Sequence, residues 1–169
     1  MPVRLAILIS IAAALAGASA GCTPAVAPRG IGTRHAPRAP DAIDLSLRTT
    51  DGRVVEIADQ QGAPVLLHLF ATYDGASLAN HRELSRFARE HMDTVVLAVA
   101  IQLDAPTFAA AFEESQTPPY SITYDPSETI VRGVSELGPL EAVPTVIMID
   151  AHGRESAISC IVSRMRPLA

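Results

Sequence analysis

The chain has 169 residues, 49% of them hydrophobic and 18% charged, which is long enough for one domain with a sizeable core. All thirteen basic residues are Arg, set against eighteen Asp and Glu, for a formal charge of −5. That balance argues against a nucleic-acid partner, because phosphate binding calls for a clustered basic face.

Residues 1–21 read as a signal peptide. In MPVRLAILISIAAALAGASAGC one positive residue, Arg4, precedes an apolar stretch from Leu5 to Ala16, and small residues follow. This is the three-part plan of an export signal. It is too short and too poor in large side chains for a permanent transmembrane helix. Ala18-Ser19-Ala20 suits cleavage after Ala20. Gly21-Cys22 suits a bacterial lipobox instead, in which Cys22 is acylated and becomes the new N-terminus, although Ser19 stands where such boxes carry Leu. The expected location is the bacterial cell envelope: lipid-anchored in the periplasm through Cys22, or soluble or secreted on the first cleavage. Each buried acyl methylene adds about 0.8 kcal/mol to such an anchor.

Residues 22–42 are rich in Pro, Gly and Ala without apolar periodicity, the composition of an extended tether. Arg29, Arg34 and Arg38 could meet anionic headgroups, though three charges add little attraction. The only cysteines are Cys22 and Cys160. With Cys22 lipidated, no intramolecular disulfide can form, even in a compartment that permits one.

The domain is expected over 43–169. IDLSLRTTDGRVVEI alternates apolar and polar residues around Asp51-Gly52, a β-hairpin pattern. APVLLHLFAT is a continuous apolar run, as in a strand buried on both faces. From Ser77 to His91, Leu78, Leu84, Phe87 and Ala88 recur at helical spacing. DTVVLAVAIQ reads as a second buried strand, and APTFAAAFEES as a helix with Pro106 in its first turn. YSITYD suggests a short strand, and PSETIVRGVSEL a further helix. VPTVIMIDAHGRESAISCIVS reads as two strands joined through Asp150-Ala151-His152-Gly153. The order implies an α/β sandwich with a mixed central sheet, flanking helices and an N-terminal hairpin.

These landmarks resemble the thioredoxin-like fold, and within it the exported TlpA/ResA-type thiol-disulfide reductases, close to the redoxin and peroxiredoxin families. DLSLRTTDGRVVEIADQQGAPVLLHLFATY resembles the entry hairpin and first core strand of that group. YDGASLANHRELSRFARE sits where the group carries Trp-Cys-Gly-Pro-Cys and its long helix. AVPTVIMIDAHGR matches the Val/Ile-Pro-Thr strand, whose proline is cis, and the hairpin that follows. The resemblance spans about residues 43–162.

Residue by residue, the resemblance places Asp74 at the nucleophilic cysteine and Ser77 at the resolving cysteine, with Gly75 kept and Ala76 at the proline. Disulfide exchange needs one thiolate to attack sulfur and a second to release the mixed disulfide. Asp and Ser do neither, so the group's reaction is not expected at these positions, and no cofactor or metal is expected either. Asp74 can cap the helix. Asp74, Ser77 and His81 would form a triad only if the carboxylate lay behind the imidazole and an oxyanion hole lay apart from both, which one helix face does not provide. Asp74 and His81 alone do not make a metal site. His68, within the core strand, is expected to be a satisfied buried or half-buried histidine, and His91 ends a helix.

The retained Val143-Pro144, with Tyr73 beside the turn, implies by the same resemblance a groove for an extended peptide. Cys160 shares a strand face with Ile158 and Val162 and is expected to pack as a small hydrophobe, with an intermolecular disulfide or peroxide sensitivity as alternatives. After Val162 only SRMRPLA remains, and Pro167 disfavours the fold's usual final helix, which would leave one sheet face for a partner or a second copy. The expected function is a non-redox module that binds an envelope protein or peptide. The alternatives are an oxidoreductase acting through Cys160 or a partner's thiol, and an inactive paralogue.

Overall fold

The structure is a computed structural model, and it describes residues 42–159. In chain order the elements are β1 (Ser46–Thr49), β2 (Val54–Glu56), a 3-10 turn (Ile57–Gln60), β3 (Val65–Phe70), α1 (Gly75–Glu90), β4 (Val95–Ala100), α2 (Ala105–Gln116), β5 (Ser121–Tyr124), β6 (Thr145–Ile149) and β7 (Glu155–Ser159). One sheet runs in the order β2-β1-β5-β4-β3-β6-β7. β3, β4 and β5 are mutually parallel, and the remaining pairings are antiparallel. This is the mixed α/β sandwich with an entry hairpin that the sequence implies.

Side-chain alternation along the central strands builds two cores. Leu66 and Phe70 of β3, Val96 and Ala98 of β4, and Val146 and Met148 of β6 face α1 and α2, which contribute Leu84, Phe87, Ala109 and Phe112. Val65, Leu67 and Leu69 face the other way, against Leu45, Leu47 and Ile57 of the hairpin region and Ile130 and Leu137 of the loop before β6. All six residues of β3 are buried, which explains its unbroken apolar run. Leu84 is fully buried and seats α1 on the sheet; truncating such a side chain to Ala costs about 2–5 kcal/mol. Leu78, by contrast, stays 42% exposed although it falls on the helical apolar pattern.

The helix expected over 126–137 does not form; the chain there runs through turns. The Asp125 carboxylate accepts the N–H groups of Ser127 and Ile130 and the hydroxyl of Thr129, and so takes from Ile130 the N–H that a helix would give to the Pro126 carbonyl. Glu128 and Gly133 both adopt positive φ, which a helix does not tolerate. Ile130 and Leu137 reach the core, while Val131 and Val134 remain exposed.

The β6–β7 hairpin closes through Asp150, whose Oδ1 accepts the N–H groups of His152 and Arg154. Gly153 has φ of +82°, and a Cβ there would stand 2.8 Å from the Ala42 Cβ. The Gly153 carbonyl accepts the Ile43 N–H at 2.9 Å, so this turn pins the start of the domain. β6 is buried on both faces, and β7 keeps half-exposed residues at the sheet edge. Cys22, Cys160 and the expectation of a missing final helix lie outside the described residues, as do the signal peptide and nearly all of the tether.

Candidate functional site

The end of β3 runs into Ala71, Thr72, Tyr73 and Asp74, and α1 begins at Gly75. Two contacts hold this turn. The Thr72 N–H and hydroxyl both donate to Gln102 Oε1, at 2.6 and 3.0 Å, which ties the turn to the segment after β4. The Ser77 hydroxyl oxygen accepts the Ala71 N–H at 3.3 Å, with Ser77 fully buried.

Asp74 is the N-cap of α1, in extended backbone geometry, and its carboxylate accepts the Ser77 N–H at 2.7 Å. The Ser77 side chain, and then the Ser77 and Ala76 backbone N–H groups, hold the Asp74 carboxyl below the usual carboxylate range, against a small opposing effect of burial. A fixed anion therefore sits at the positive end of the helix dipole. Gly75 and Ala76 are exposed, and Tyr73 is 78% exposed at the mouth of the turn.

The Val143-Pro144 peptide is cis. Pairing of β6 with β3 sets Thr145 opposite Leu69, so Pro144 and Val143 continue past the end of β3, where the Tyr73–Asp74 turn begins. Pro144 is buried, Val143 is half-buried, and the Thr145 hydroxyl donates to the Ala142 carbonyl at 2.7 Å. The Asp-Gly turn and the cis peptide thus share one end of the sheet.

Asp74, Ser77 and His81 do not converge as a triad. The Asp74 carboxylate serves a backbone N–H, Ser77 points back to β3, and His81 Nδ1 pairs with the Tyr120 hydroxyl. Among the described residues no three His, Cys, Asp or Glu side chains group as metal ligands.

What the sequence reading missed is a buried polar cluster under α1 and α2. The His68 and His81 rings meet edge to face with centroids 5.0 Å apart, and Phe70 and Phe112 pack against His81 at 4.6 and 4.4 Å. His68 is buried as expected but not satisfied, since neither ring nitrogen has a hydrogen-bond partner. Burial, aided by the nearby His81, depresses the His68 pKa to about 3, and burial takes His81 to about 4. Burial pushes the Tyr120 phenol up to about 12. Three residues far apart in sequence meet here only because β3, α1 and the α2–β5 connection share one face. Two histidines at apolar positions of β3 and α1 were the available signal.

The redoxin family model matches residues 35–160. No curated protein matches the chain. Among solved structures, a protein classed as a thiol-disulfide oxidoreductase of Bacteroides vulgatus is 17% identical, with a TM-score of 0.61 over 81% of this chain and 92% of that one. A thiol:disulfide interchange protein of Chlorobium tepidum is 21% identical, with a TM-score of 0.56 over 74% of this chain and 86% of its own. A secreted disulfide oxidoreductase of Mycobacterium tuberculosis is 16% identical, with a TM-score of 0.54 over 67% and 81%. At these identities the likeness speaks for the fold. No helix among the described residues is long and apolar enough to cross a membrane. With the family match running through the hairpin, the Asp-Gly turn and the cis-proline strand, the chain belongs to the redoxin family and has its thioredoxin-like fold.

Proposed function

We propose that this is a non-redox binding module, exported and tethered in the bacterial envelope through a lipidated Cys22, which holds an extended segment of another envelope protein. The observation that carries the reading is the occupant of the helix start. A capping carboxylate, Asp74, and a buried, hydrogen-bonded hydroxyl, Ser77, stand where disulfide exchange would need a thiolate pair. The surroundings of that spot remain: the cis Val143-Pro144 edge, and an exposed Tyr73 ring to cover a bound chain. Backbone pairing beside Val143 gives affinity, and Tyr73 supplies the apolar contact.

Family membership favours a second reading, an oxidoreductase working through Cys160 or a thiol lent by a partner. An inactive paralogue would lack both activities. Affinity capture from envelope fractions separates these readings, comparing wild type with Tyr73→Ala and Val143→Arg variants of unchanged circular dichroism. The module reading expects discrete partners that both substitutions release. Equal recovery from all three proteins rejects the groove. Labelling with a palmitate analogue, abolished by Cys22→Ala, tests the anchor.

A further inference from the structure

A second recessed surface runs along α1 from Leu78 to Arg89 and faces the end of α2 and the segment that follows it. It is a cleft of about 480 Å³, within the ordinary range for ligand sites. Its floor is Phe112 and the His81–Tyr120 pair, its apolar end is the half-exposed Leu78, and its rim carries Arg82 and Arg89. Among the described residues no acidic side chain lines it, although the chain as a whole carries a charge of −5. Neighbouring Arg86 is paired with Glu83, but neither Arg82 nor Arg89 has an ion-pair partner among the described residues. Two unmatched guanidinium groups, concentrated on an acidic protein and set over an apolar floor, call for an anionic partner that also has apolar body.

Spacing narrows the partner. Arg82 and Arg89 are seven residues apart, which on a helix is nearly two full turns, so they project from one face about 10 Å apart. An extended polyproline-type chain has three residues per turn and rises about 3.1 Å per residue, which puts side chains i and i+3 on one side about 9 Å apart. The match is to acid-x-x-acid in an extended segment. Outside the described residues, the segments 1–41 and 160–169 contain a single acid, Asp41, so neither segment supplies a pair of carboxylates by itself.

We propose that the α1/α2 cleft docks an extended acidic segment of a partner protein, with two carboxylates three residues apart meeting Arg82 and Arg89, apolar side chains between them resting on Phe112, and an apolar residue beyond the pair resting on Leu78. The site shares no lining residue with the groove beside Val143-Pro144 and does not depend on it.

The test is fluorescence anisotropy on the mature protein with a labelled Glu-Pro-Pro-Glu-Pro-Pro-Glu peptide, its Gln-for-Glu counterpart, and an isomer with adjacent glutamates. The proposal expects the first peptide to bind best and the Gln peptide not to bind. Arg82→Gln and Arg89→Gln should each weaken binding about two- to fivefold, as for exposed ion pairs. Raising salt should weaken it further, while Tyr73→Ala and Val143→Arg should leave it unchanged. No binding, equal binding of the Gln peptide, or full affinity in the Arg82→Gln/Arg89→Gln double variant would overturn it. So would sedimentation showing that the two Arg instead hold a second copy of the chain.

Discussion

The Asp74 carboxylate accepts the Ser77 N–H at 2.7 Å, so these two residues at the start of α1 are bonded to each other as a helix cap. That bond occupies a backbone donor at the helix start, the same kind of donor that stabilises a thiolate in thiol enzymes. The relationship is structural, and its energetic weight can be measured.

Asp74→Ala should destabilise the domain by about 0.5–2 kcal/mol, and Asp74→Asn or Asp74→Ser should recover most of the loss. Urea unfolding followed by circular dichroism reads the difference. The carboxyl pKa is lowered in the folded state from a reference of 3.8. The charged cap therefore contributes fully above that value, and its contribution fades as pH falls through the folded pKa. The gap between wild type and Asp74→Ala should accordingly narrow below about pH 4.

The histidine cluster predicts an acid-labile core. In the unfolded chain His68 and His81 take up protons near 6.5, whereas folded they resist until about 3 and about 4. Above 6.5 both states are neutral and nothing is lost. Below it the unfolded state binds up to two more protons, so stability falls by about 1.4 kcal/mol per pH unit for each histidine. His68→Leu should about halve that slope between pH 4.5 and 6 without lowering stability at pH 7, because it removes a buried imidazole that has no hydrogen-bond partner.

The legibility of the chain divides along sequence distance. β3 and β4 announce themselves by unbroken apolar runs, α1 and α2 by helical spacing with Asp74 and Pro106 at their starts, and the β6–β7 turn by Asp150 and Gly153. The family pattern led to the cis peptide at Pro144. The stretch 126–137 misled because Ile130, Val131, Val134 and Leu137 fit a helical stripe, while the competing Asp125 side chain and the positive φ at Glu128 carry no periodic signal. The His68–His81–Tyr120 cluster was hidden for another reason. Its members come from a strand, a helix and a loop, and their meeting depends on how α1 and α2 lie on the sheet.

Tyr120 links that cluster to the cleft. Tyr120→Phe should cost about 1–3 kcal/mol, since the His81 ring loses its one observed partner while staying buried. In an ultraviolet titration of the folded protein, one of the three tyrosines should ionise last, near 12, and that transition should vanish in Tyr120→Phe.

Gly153→Ala should be more damaging than Gly52→Ala. Both glycines have positive φ, but only at Gly153 would the added methyl collide, with the Ala42 Cβ at 2.8 Å. Thermal unfolding of the two variants side by side gives the comparison.

Reduction of insulin by dithiothreitol, followed as turbidity, tests the central claim most directly. The mature wild-type protein and its Cys160→Ser variant should both match the rate of dithiothreitol alone, whereas Asp74→Cys/Ser77→Cys, with two thiols placed at the end of the sheet that holds the cis-proline, should exceed it. Wild-type acceleration that disappears in Cys160→Ser would contradict the account.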